Sequence, residues 1–240
     1  MATYNGEKYL KRQLESILDQ LGEGDEVVIS DDSSFDDTIS IIEWFDDPRI
    51  RLLKHNHFHS PIFNLENAVR HAKGDYIFLS DQDDIWHSRK IAVMTHYLKD
   101  HTTVVSDCVL IDEDDNLIAP SFYQLNGSRP GLTYNLLNNS YLGCCMAFNR
   151  KILHAAIPFP RSIAMHDIWI GLLTELIGKP VFIPDKLISY RRHAANFSSA
   201  SEPSRLHLWF KLKYRLQFVW LATARLIKLN LNPNLIHASP

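Results

Sequence analysis

Apolar residues in the first half of the chain alternate between helical spacing and short β-branched runs. Leucine and isoleucine recur every three or four residues from Leu10 to Leu21, and the run Val27-Val28-Ile29 follows. The alternation then continues, with Ser34 and Asp37 resembling a capping box that opens the next helix. The predicted helices and strands, in order, are 10–21, 27–29, 34–45, 50–53, 65–72 and 76–80. A βαβαβ order predicts a parallel sheet with helices on both faces, whose ligands bind beyond the carboxyl ends of the strands.

The second half has the same mixed character with weaker signals. A helix is predicted over 91–98 and strands over 104–111 and 143–148. A further helix opens at Met165-His166-Asp167 and stops at Gly178-Lys179-Pro180, and the turn Asp112–Asn116 is expected to be exposed without a special role. We therefore expect an α/β domain over residues 1–200, followed by a helical tail over 201–240.

Acidic residues stand directly after two predicted strands, and the second group is the more informative. Asp81, Asp83 and Asp84 follow the apolar run 76–80. Crowded carboxylates at the end of a buried strand repel one another and resist desolvation, so a hard divalent cation such as Mg²⁺ or Mn²⁺ would stabilise them. A solvated acidic turn is the alternative. Asp31 and Asp32 end another strand, and we expect both groups to face one cleft.

Composition narrows the class of protein. The 240 residues are 45% hydrophobic, which is enough for a core, and the net charge of -3 makes nucleic acid an unexpected partner. Cys108, Cys144 and Cys145 form no CxxC motif, so buried thiols in a reducing cytoplasm are expected. No apolar run approaches the roughly 20 residues that span a bilayer.

Five further motifs follow one another along the chain: Ala2-Thr3-Tyr4-Asn5-Gly6, Asp31-Asp32-Ser33-Ser34, Leu79-Ser80-Asp81-Gln82-Asp83-Asp84-Ile85-Trp86, His166-Asp167-Ile168-Trp169 and Tyr190-Arg191-Arg192-His193. In this order they resemble glycosyltransferase family 2, over about residues 2 to 198. Among its members, those of the bacterial rhamnosyltransferase type are the most similar. The resemblance implies a GT-A type fold: a Rossmann-like, mostly parallel sheet flanked by helices. It also implies a nucleotide-diphosphate sugar donor and a saccharide or lipid-linked acceptor in the synthesis of a cell-surface polysaccharide.

The resemblance also implies residue roles. The nucleotide would be held by Thr3, Tyr4, Asn5, Glu7, Asp32 and Asp81. The metal would be held by Asp81, Asp83 and Asp84, with His193 approaching the metal or the diphosphate. Asp167 matches the family's catalytic base, and His166 and Trp169 would flank the acceptor.

Each role has a plainer alternative or an open choice. Asp167 could equally cap its helix, His193 could be a surface histidine, and the directly ligating carboxylate is not assigned. A single displacement with one carboxylate as general base predicts inversion at the anomeric carbon. The donor nucleotide is expected to be UDP or dTDP.

Two features depart from the family pattern. The family has several apolar residues before the Thr-Tyr-Asn turn, and here only Met1 and Ala2 precede it. Without them a central strand would be short and the nucleotide pocket weakened, so we expect either residues upstream of Met1 or an impaired protein. The second feature is the alternation of His55, His57 and His59, which suggests a metal site but fits a loop better.

The tail 205–231 interleaves apolar residues with lysine and arginine. That pattern predicts an amphipathic helix at an anionic membrane surface, or equally a terminal helix that packs on the domain or on a second copy. Two other functions stay open. A nucleotidyltransferase is disfavoured because no Gly-rich loop follows the first strand, and a catalytically impaired nucleotide-sugar-binding module would follow from loss of that strand.

Overall fold

The computed structural model describes residues 1–193 and 208–231. Strands and helices alternate in the first half. The elements are β1 (Ala2–Thr3), α1 (Leu10–Leu18), β2 (Val27–Asp31), α2 (Thr38–Trp44), β3 (Ile50–Leu53), α3 (Pro61–His71), β4 (Tyr76–Phe78), β5 (Ile85–Trp86) and α4 (Lys90–Leu98). The predicted alternation of helix and strand is confirmed over this region.

The second half contains more short elements than the sequence pattern predicted. They are β6 (Thr103–Ile111), β7 (Leu117–Ala119), α5 (Phe122–Asn126), α6 (Leu132–Leu137), a 3₁₀ turn (Gly143–Cys145), β8 (Met146–Asn149), α7 (Arg150–Ala156), α8 (His166–Ile177), β9 (Pro180–Arg191) and α9 (Leu208–Leu231). The run 143–148 was predicted as one strand, and its first three residues form the 3₁₀ turn instead.

A parallel three-stranded sheet positions the amino-terminal motifs. Strands β1, β2 and β3 lie in that order, with Ala2 opposite Ser30 and Thr3 opposite Asp31. Helix α3 packs against β1 and β2. The loop after β1 and the turn after β2 therefore leave the sheet at the same edge, where parallel strands of an α/β fold present their ligands.

The second sheet is mixed. Its strands run in the order β4, β8, β6, β9 and β5, with β7 beside β6. The long pair β6 and β9 is parallel, whereas β4 with β8, β8 with β6, and β9 with β5 are antiparallel. The α/β class is as expected, but β4 does not join the parallel sheet of β1 to β3 as its place in the chain suggested. A strand buried on both faces has the same apolar pattern in either orientation, so its sequence could not decide the pairing.

Two local predictions differ in detail from the structure. Helix α2 begins after Asp37, which makes no side-chain cap, and the Ser34 hydroxyl donates instead to Asp31. The expected capping box is therefore absent, because Ser34 Oγ accepts from the Asn5 N–H instead of from an N–H of the helix. The three cysteines are buried and free, as predicted.

Helix α9 packs on the domain through one of its faces. Phe218 is buried edge-on against Trp169 of α8, with ring centroids 5.8 Å apart. The guanidinium of Arg225 donates to the carbonyl oxygens of Ala155 and Ile157 at 2.7 and 2.9 Å. None of the helices in the described parts of the chain has the length and apolar content needed to cross a membrane.

The packing of α8 against the ring of Tyr141 gives a stability prediction. A Cβ added at Gly171 would lie 2.2 Å from that buried ring, so Gly171→Ala should destabilise the fold by about 2 kcal/mol or more. Gly24→Ala is the matched control, because nothing lies within 4 Å of its added Cβ. Urea unfolding followed by circular dichroism measures both, and equal midpoints for the two variants would contradict this packing.

Candidate active site

A cleft of about 890 Å³ opens where the two sheets meet. One wall is the loop after β1, together with Asp32 and the start of α3. The other wall carries the segment after β4, the start of α8 and the end of β9. The cleft therefore joins residues that are far apart in sequence.

The loop Tyr4-Asn5-Gly6 is fixed by side chains from both walls. Gln82 accepts from the Tyr4 N–H at 2.9 Å and donates to the Tyr4 carbonyl at 3.1 Å. Asn5 has a φ of 49° and its N–H donates to Ser34 Oγ at 2.9 Å. A side chain on Gly6 would approach Gln82 to 2.6 Å, so a glycine is required for this contact. Tyr4 remains half exposed at the rim.

The two acids after β2 have different surroundings. Asp31 is held inside the fold, where its Oδ2 accepts from the hydroxyls of Thr3 at 2.8 Å and Ser34 at 2.6 Å. Asp32 lines the cleft, and its carboxylate accepts the N–H groups of Phe58 and Ser60. Asp31 therefore shapes the turn, whereas Asp32 borders the cleft.

Asn64 adds a second acceptor on the same wall. Its Nδ2 donates to the Thr3 carbonyl at 3.0 Å, which leaves Oδ1 as the free end of the amide. Asn64 is 2% exposed, lines the cleft, and its Oδ1 has no hydrogen-bond partner in the described part of the chain. A buried acceptor without a partner favours a ligand that carries an N–H or O–H group.

The acidic segment after β4 divides between the cleft and the interior. Asp81 and Asp83 are partly exposed in the cleft. Asp84 turns inward, where it is 1% exposed and its Oδ1 accepts from the Arg191 N–H at 2.9 Å. Ligand atoms of Asp81, Asp84 and Cys144 lie within 4.8 Å of one another.

The end of β9 binds this acidic segment tightly. Arg191 Nε donates to the Asp83 carbonyl at 2.9 Å, and its Nη2 lies 2.7 Å from Oδ1 of Asp115. His193 Nε2 lies 2.8 Å from Asp83 Oδ2, and its ring contacts that of Tyr9. His193 is therefore beside a cleft carboxylate, not on an open surface.

The beginning of α8 lies on the same wall as the acidic segment. Asp167 is 8% exposed and lies in the first turn, whose N-cap is Met165. Its two oxygens accept from Gly143 N–H at 3.2 Å and Ile168 N–H at 2.7 Å. The carboxylate is thus held in place from both sides, and Asp167 is not the N-cap residue.

Burial and neighbouring charges shift the pKa values of the carboxyl groups in the site. Burial, and then the charges of Asp83 and Asp167, raise the pKa of Asp81. Burial also raises the pKa of Asp84 and of Asp167. The neighbouring Lys90 is fully buried, and burial lowers its pKa to about 8. The cleft therefore holds negative charge that the protein alone does not fully neutralise.

The cleft collects most of the predicted site residues. Those that line it are Thr3, Tyr4, Asn5, Asp32, Asp81, Asp83, His166, Asp167 and His193. Glu7 instead accepts from the Asp37 N–H at 3.0 Å outside the cleft, and Asp84 points into the interior.

Trp169 is 1% exposed and donates from Nε1 to the Ala156 carbonyl. The prediction that Trp169 contacts an acceptor is therefore wrong, because the side chain lies in the core. Helical periodicity explains this outcome, because Trp169 begins the buried face of α8 that meets α9.

Several cleft residues were missed by the sequence analysis. Asn64, Lys8 and Tyr9 carry no motif signal, although Gln82 lies inside the acidic motif. Glu113 lines the cleft too, because the turn 112–116 folds over the end of β9. That turn was expected to have no special role. Its role is visible only from its contacts with residues more than 70 positions away in the sequence.

The donor set fits a hard divalent cation. Asp81 and Asp83 offer carboxylate oxygens in the cleft. The negative charge of Asp83 helps to raise the pKa of Asp81, and a bound cation would relieve this repulsion. His193 adds a ring nitrogen beside Asp83. The triplet His55, His57 and His59 forms no such group: it lies in a loop, with only the rings of His57 and His59 6.3 Å apart.

The structure defines an α/β protein with an acidic cleft at the ends of its strands, the place where sheets of this kind bind ligands. The family model for Glycosyl transferase family 2 matches residues 1–156. The chain belongs to glycosyltransferase family 2.

Named relatives agree with this assignment. The dTDP-rhamnosyl transferase RfbG of Shigella flexneri is 40% identical over 248 residues, covering 93% of this chain and 84% of that protein. The UDP-Glc:alpha-D-GlcNAc-diphosphoundecaprenol beta-1,3-glucosyltransferase WfaP of Escherichia coli is 30% identical over 203 residues, covering 83% and 78%.

Solved structures support the GT-A fold. TarS 1-349 of S. aureus in complex with UDP-GlcNAc has a TM-score of 0.61 at 17% identity, covering 91% of this chain and 70% of that one. The mannosyltransferase PcManGT from Pyrobaculum calidifontis, in complex with GDP-Man and Mn2+, has a TM-score of 0.60 at 19% identity, covering 96% and 74%.

The charge imbalance of the cleft gives a prediction for metal binding. Millimolar Mn²⁺ should raise the unfolding temperature by at least about 2 °C, because an ion that binds only the folded cleft stabilises it. Asp81→Asn should abolish that shift, and in metal-free buffer it should not destabilise the fold, because it removes a desolvated charge.

Differential scanning fluorimetry with and without Mn²⁺ measures both effects. Asp114→Asn is the matched control, since Asp114 is an exposed acid on the turn 112–116. A manganese shift that survives in Asp81→Asn would exclude Asp81 as a ligand.

Proposed function

We propose that this protein is an inverting, metal-dependent glycosyltransferase that transfers a sugar from a UDP- or dTDP-sugar to a saccharide or lipid-linked acceptor during synthesis of a cell-surface polysaccharide. One observation carries the proposal: a single cleft has one wall that suits a nucleotide, and the opposite wall carries a pair of partly exposed carboxylates and a buried carboxylate. Rhamnose is the leading candidate sugar, by similarity to the dTDP-rhamnosyl transferase of Shigella flexneri.

In this proposal the base of the donor lies against the wall formed by Asp32 and Asn64. Both residues offer oxygen acceptors, at the Asp32 carboxylate and the unpartnered Asn64 Oδ1. Uracil and thymine carry an imino N–H that matches an acceptor, whereas the same ring position of cytosine carries none. Tyr4 and Asn5, held by Gln82 and Ser34, border this pocket.

Asp81 and Asp83 would hold a divalent ion near the diphosphate of the donor. When bound, that ion would supply positive charge that stabilises the oxygens of the departing nucleoside diphosphate. His193 would orient the Asp83 carboxylate through the 2.8 Å contact. Asp84 acts indirectly, because its bond to the Arg191 N–H fixes the segment that carries the other two acids.

Asp167 is the proposed general base. Its carboxylate lies in the cleft wall opposite Asp32, and the N–H groups of Gly143 and Ile168 hold it in one orientation. Burial raises its pKa, which makes it a better proton acceptor for an attacking hydroxyl than a solvated aspartate. Attack from this side, opposite the leaving diphosphate, inverts the anomeric carbon. His166 lines the same wall and would contact the acceptor.

Removal of the proposed base should separate catalysis from donor binding. Asp167→Asn keeps the shape of the side chain and should lower kcat by about 10²- to 10⁴-fold, while the affinity for UDP or dTDP stays within a factor of two. Transfer assays with Mn²⁺ and a panel of UDP- and dTDP-sugars measure kcat, and calorimetry measures nucleotide affinity.

Asp19→Asn, a change of an exposed acid at the end of α1, is the control for these assays. Unchanged turnover in Asp167→Asn would remove Asp167 from the mechanism. Release of pyrophosphate would indicate a nucleotidyltransferase, and no release of any nucleotide would indicate a binding module.

We further propose that residues 1–200 form the catalytic domain and that α9, the part of the tail 201–240 that the structure describes, lies on the cytoplasmic face of an anionic membrane. Helix α9 has a second apolar face, which is exposed and carries Leu216, Val219, Trp220, Ile227 and Leu231. The helix contains no acidic residue, and Lys213 and Lys228 are exposed on it. Apolar side chains flanked by lysines suit a surface of anionic lipid headgroups.

The position of α9 relative to the cleft supports a lipid-linked acceptor. Gln217 donates to the Ser162 carbonyl, just before the segment that enters α8, and Phe218 packs on Trp169 of that helix. The helix that carries His166 and Asp167 therefore rests on α9. The WfaP relative is named for a diphosphoundecaprenol acceptor, which is a lipid-linked saccharide.

The exposed face of α9 should determine membrane binding. The double change Leu216→Ser and Trp220→Ser should reduce co-sedimentation with phosphatidylglycerol vesicles by at least about tenfold, because two large apolar side chains are removed. Leu117→Ser, at an equally exposed apolar residue of β7, should leave binding unchanged. Equal binding by all three proteins would contradict a membrane role for α9.

A further inference from the structure

A buried cysteine lies directly behind the acidic segment of the cleft. Cys144 is fully buried in the 3₁₀ turn Gly143–Cys145, whose first residue lines the cleft. Ligand atoms of Asp81, Asp84 and Cys144 lie within 4.8 Å of one another. Such atoms can reach one metal ion after small movements, because oxygen and sulfur ligands lie about 2.0 to 2.3 Å from zinc. We call these three side chains the mixed-ligand cluster.

Asp84 contributes an acceptor that the fold leaves unused. Its side chain is 1% exposed, and Oδ1 accepts from the Arg191 N–H, whereas Oδ2 makes no hydrogen bond within the part of the chain that the structure describes. The polar group beside this carboxyl is the Cys144 thiol, which is only a weak donor. A buried carboxylate oxygen without a strong donor is costly, and a coordinated cation would satisfy it.

The charges around the mixed-ligand cluster balance for a divalent ion. Two carboxylates and a thiolate carry three negative charges, and the buried ammonium of Lys90 is close enough to interact electrostatically with all three groups. Lys90 is held there by a hydrogen bond of 2.7 Å to the Cys144 carbonyl and by the Trp86 ring. A divalent ion together with this ammonium makes the buried group neutral, which limits the cost of desolvation. A divalent ion therefore suits the cluster better than a monovalent one.

The sulfur ligand determines which divalent ion fits. Mg²⁺ and Mn²⁺ prefer oxygen ligands, whereas a thiolate selects softer ions such as Zn²⁺. Zn²⁺ takes four ligands in most protein sites, so two carboxylates and one thiolate leave a position for water. Binding requires the Cys144 thiol to lose its proton, which passes to solvent through the cleft. The cleft-facing pair Asp81 and Asp83 offers no sulfur, so ligand chemistry separates the two kinds of ion.

We propose that Asp81, Asp84 and Cys144 form a second metal site, which binds Zn²⁺ or a similarly soft divalent ion behind the cleft. Asp81 lines the cleft and also belongs to the proposed site for Mg²⁺ or Mn²⁺. The soft ion therefore enters from the cleft, and the two sites compete for one carboxylate. Bound zinc displaces the metal of the proposed reaction and inhibits transfer. This inhibition rests on the proposed function, whereas zinc binding itself does not.

Cobalt reports on this site directly. Co²⁺ occupies zinc sites, and its bond to a thiolate gives a charge-transfer band in the near ultraviolet, which cobalt bound only by oxygen and nitrogen ligands lacks. The full chain, with reduced thiols and no added magnesium, should show this band with Co²⁺, and Zn²⁺ should abolish it. No band in the unmodified chain would overturn the proposal.

Three variants locate the ion. Cys144→Ser should lose the band. Cys108→Ser alters another buried cysteine, and Asp83→Asn alters the cleft carboxylate outside the cluster, so both should keep it. Circular dichroism checks that each variant folds, and Cys144→Ala takes the place of a serine variant that does not. A band that persists without the Cys144 thiol, or one that is lost in folded Asp83→Asn, would place the ion elsewhere and overturn the proposal.

Competition with manganese is the second readout. Zn²⁺ should release bound Mn²⁺ from the protein, seen as growth of the electron paramagnetic resonance signal of free Mn²⁺. In Cys144→Ser the same release should need at least about tenfold more zinc, because a ligand is lost. Zinc that binds without releasing Mn²⁺ would overturn the shared use of Asp81. Absence of manganese binding in the unmodified chain would count against the proposed function and would leave the cobalt result unaffected.

Discussion

The buried guanidinium of Arg191 is the contact on which the active-site wall depends. It is 3% exposed and reaches the Asp83 carbonyl, the carbonyl oxygens of Asp112 and Glu113, and the carboxylate of Asp115. Its own N–H donates to Asp84. One residue at the end of β9 thus joins the acidic segment after β4 to the turn after β6. Removing such a partner would leave several partly buried carbonyl groups without their hydrogen bonds, which is costly.

The same arrangement explains how crowded carboxylates are tolerated. Asp84 is withdrawn from the cleft, with a raised pKa that favours its neutral form, while Lys90 donates to the Cys144 carbonyl beneath it. Lys90 also lies 3.8 Å from the centroid of the Trp86 ring. Asp81 and Asp83 are the carboxyl groups of this segment that face the cleft. Function and stability oppose each other here, because the charge that suits a metal ion is the charge that folding must desolvate.

The two walls of the cleft are stabilised by different kinds of contact. Strand β1 supports the wall that carries Asp32 through backbone hydrogen bonds to β2. Helix α9 supports the wall that carries Asp167 through side-chain packing on Trp169 and through Arg225, which binds carbonyl groups at the end of α7. One wall therefore depends on strand pairing and the other on packing between helices.

The sequence by itself determined the local features. Periodicity placed α1 to α4, α8 and the strands β2, β3, β4 and β6 to within a few residues, because side-chain spacing reports which face of an element is buried, but it gave no sign of α5 to α7 or of β5, β7 and β9. The absence of a CxxC motif predicted buried cysteines, and the order of residues put acids at two strand ends. The ordered motifs also indicated the family. Only the tertiary structure decided which acids face the cleft, that Trp169 lies in the core, and that the turn 112–116 binds Arg191.

Strand pairing was likewise decided by tertiary contacts. An apolar run such as 76–80 is compatible with parallel or antiparallel neighbours, and β4 pairs antiparallel with β8, some 70 residues later. Hydrogen-bond partners more than 100 residues apart, such as Asp84 and Arg191, leave no periodic trace in the sequence. Local pattern fixes what each segment buries, whereas the partner of a buried polar group depends on which distant segment the fold brings to it.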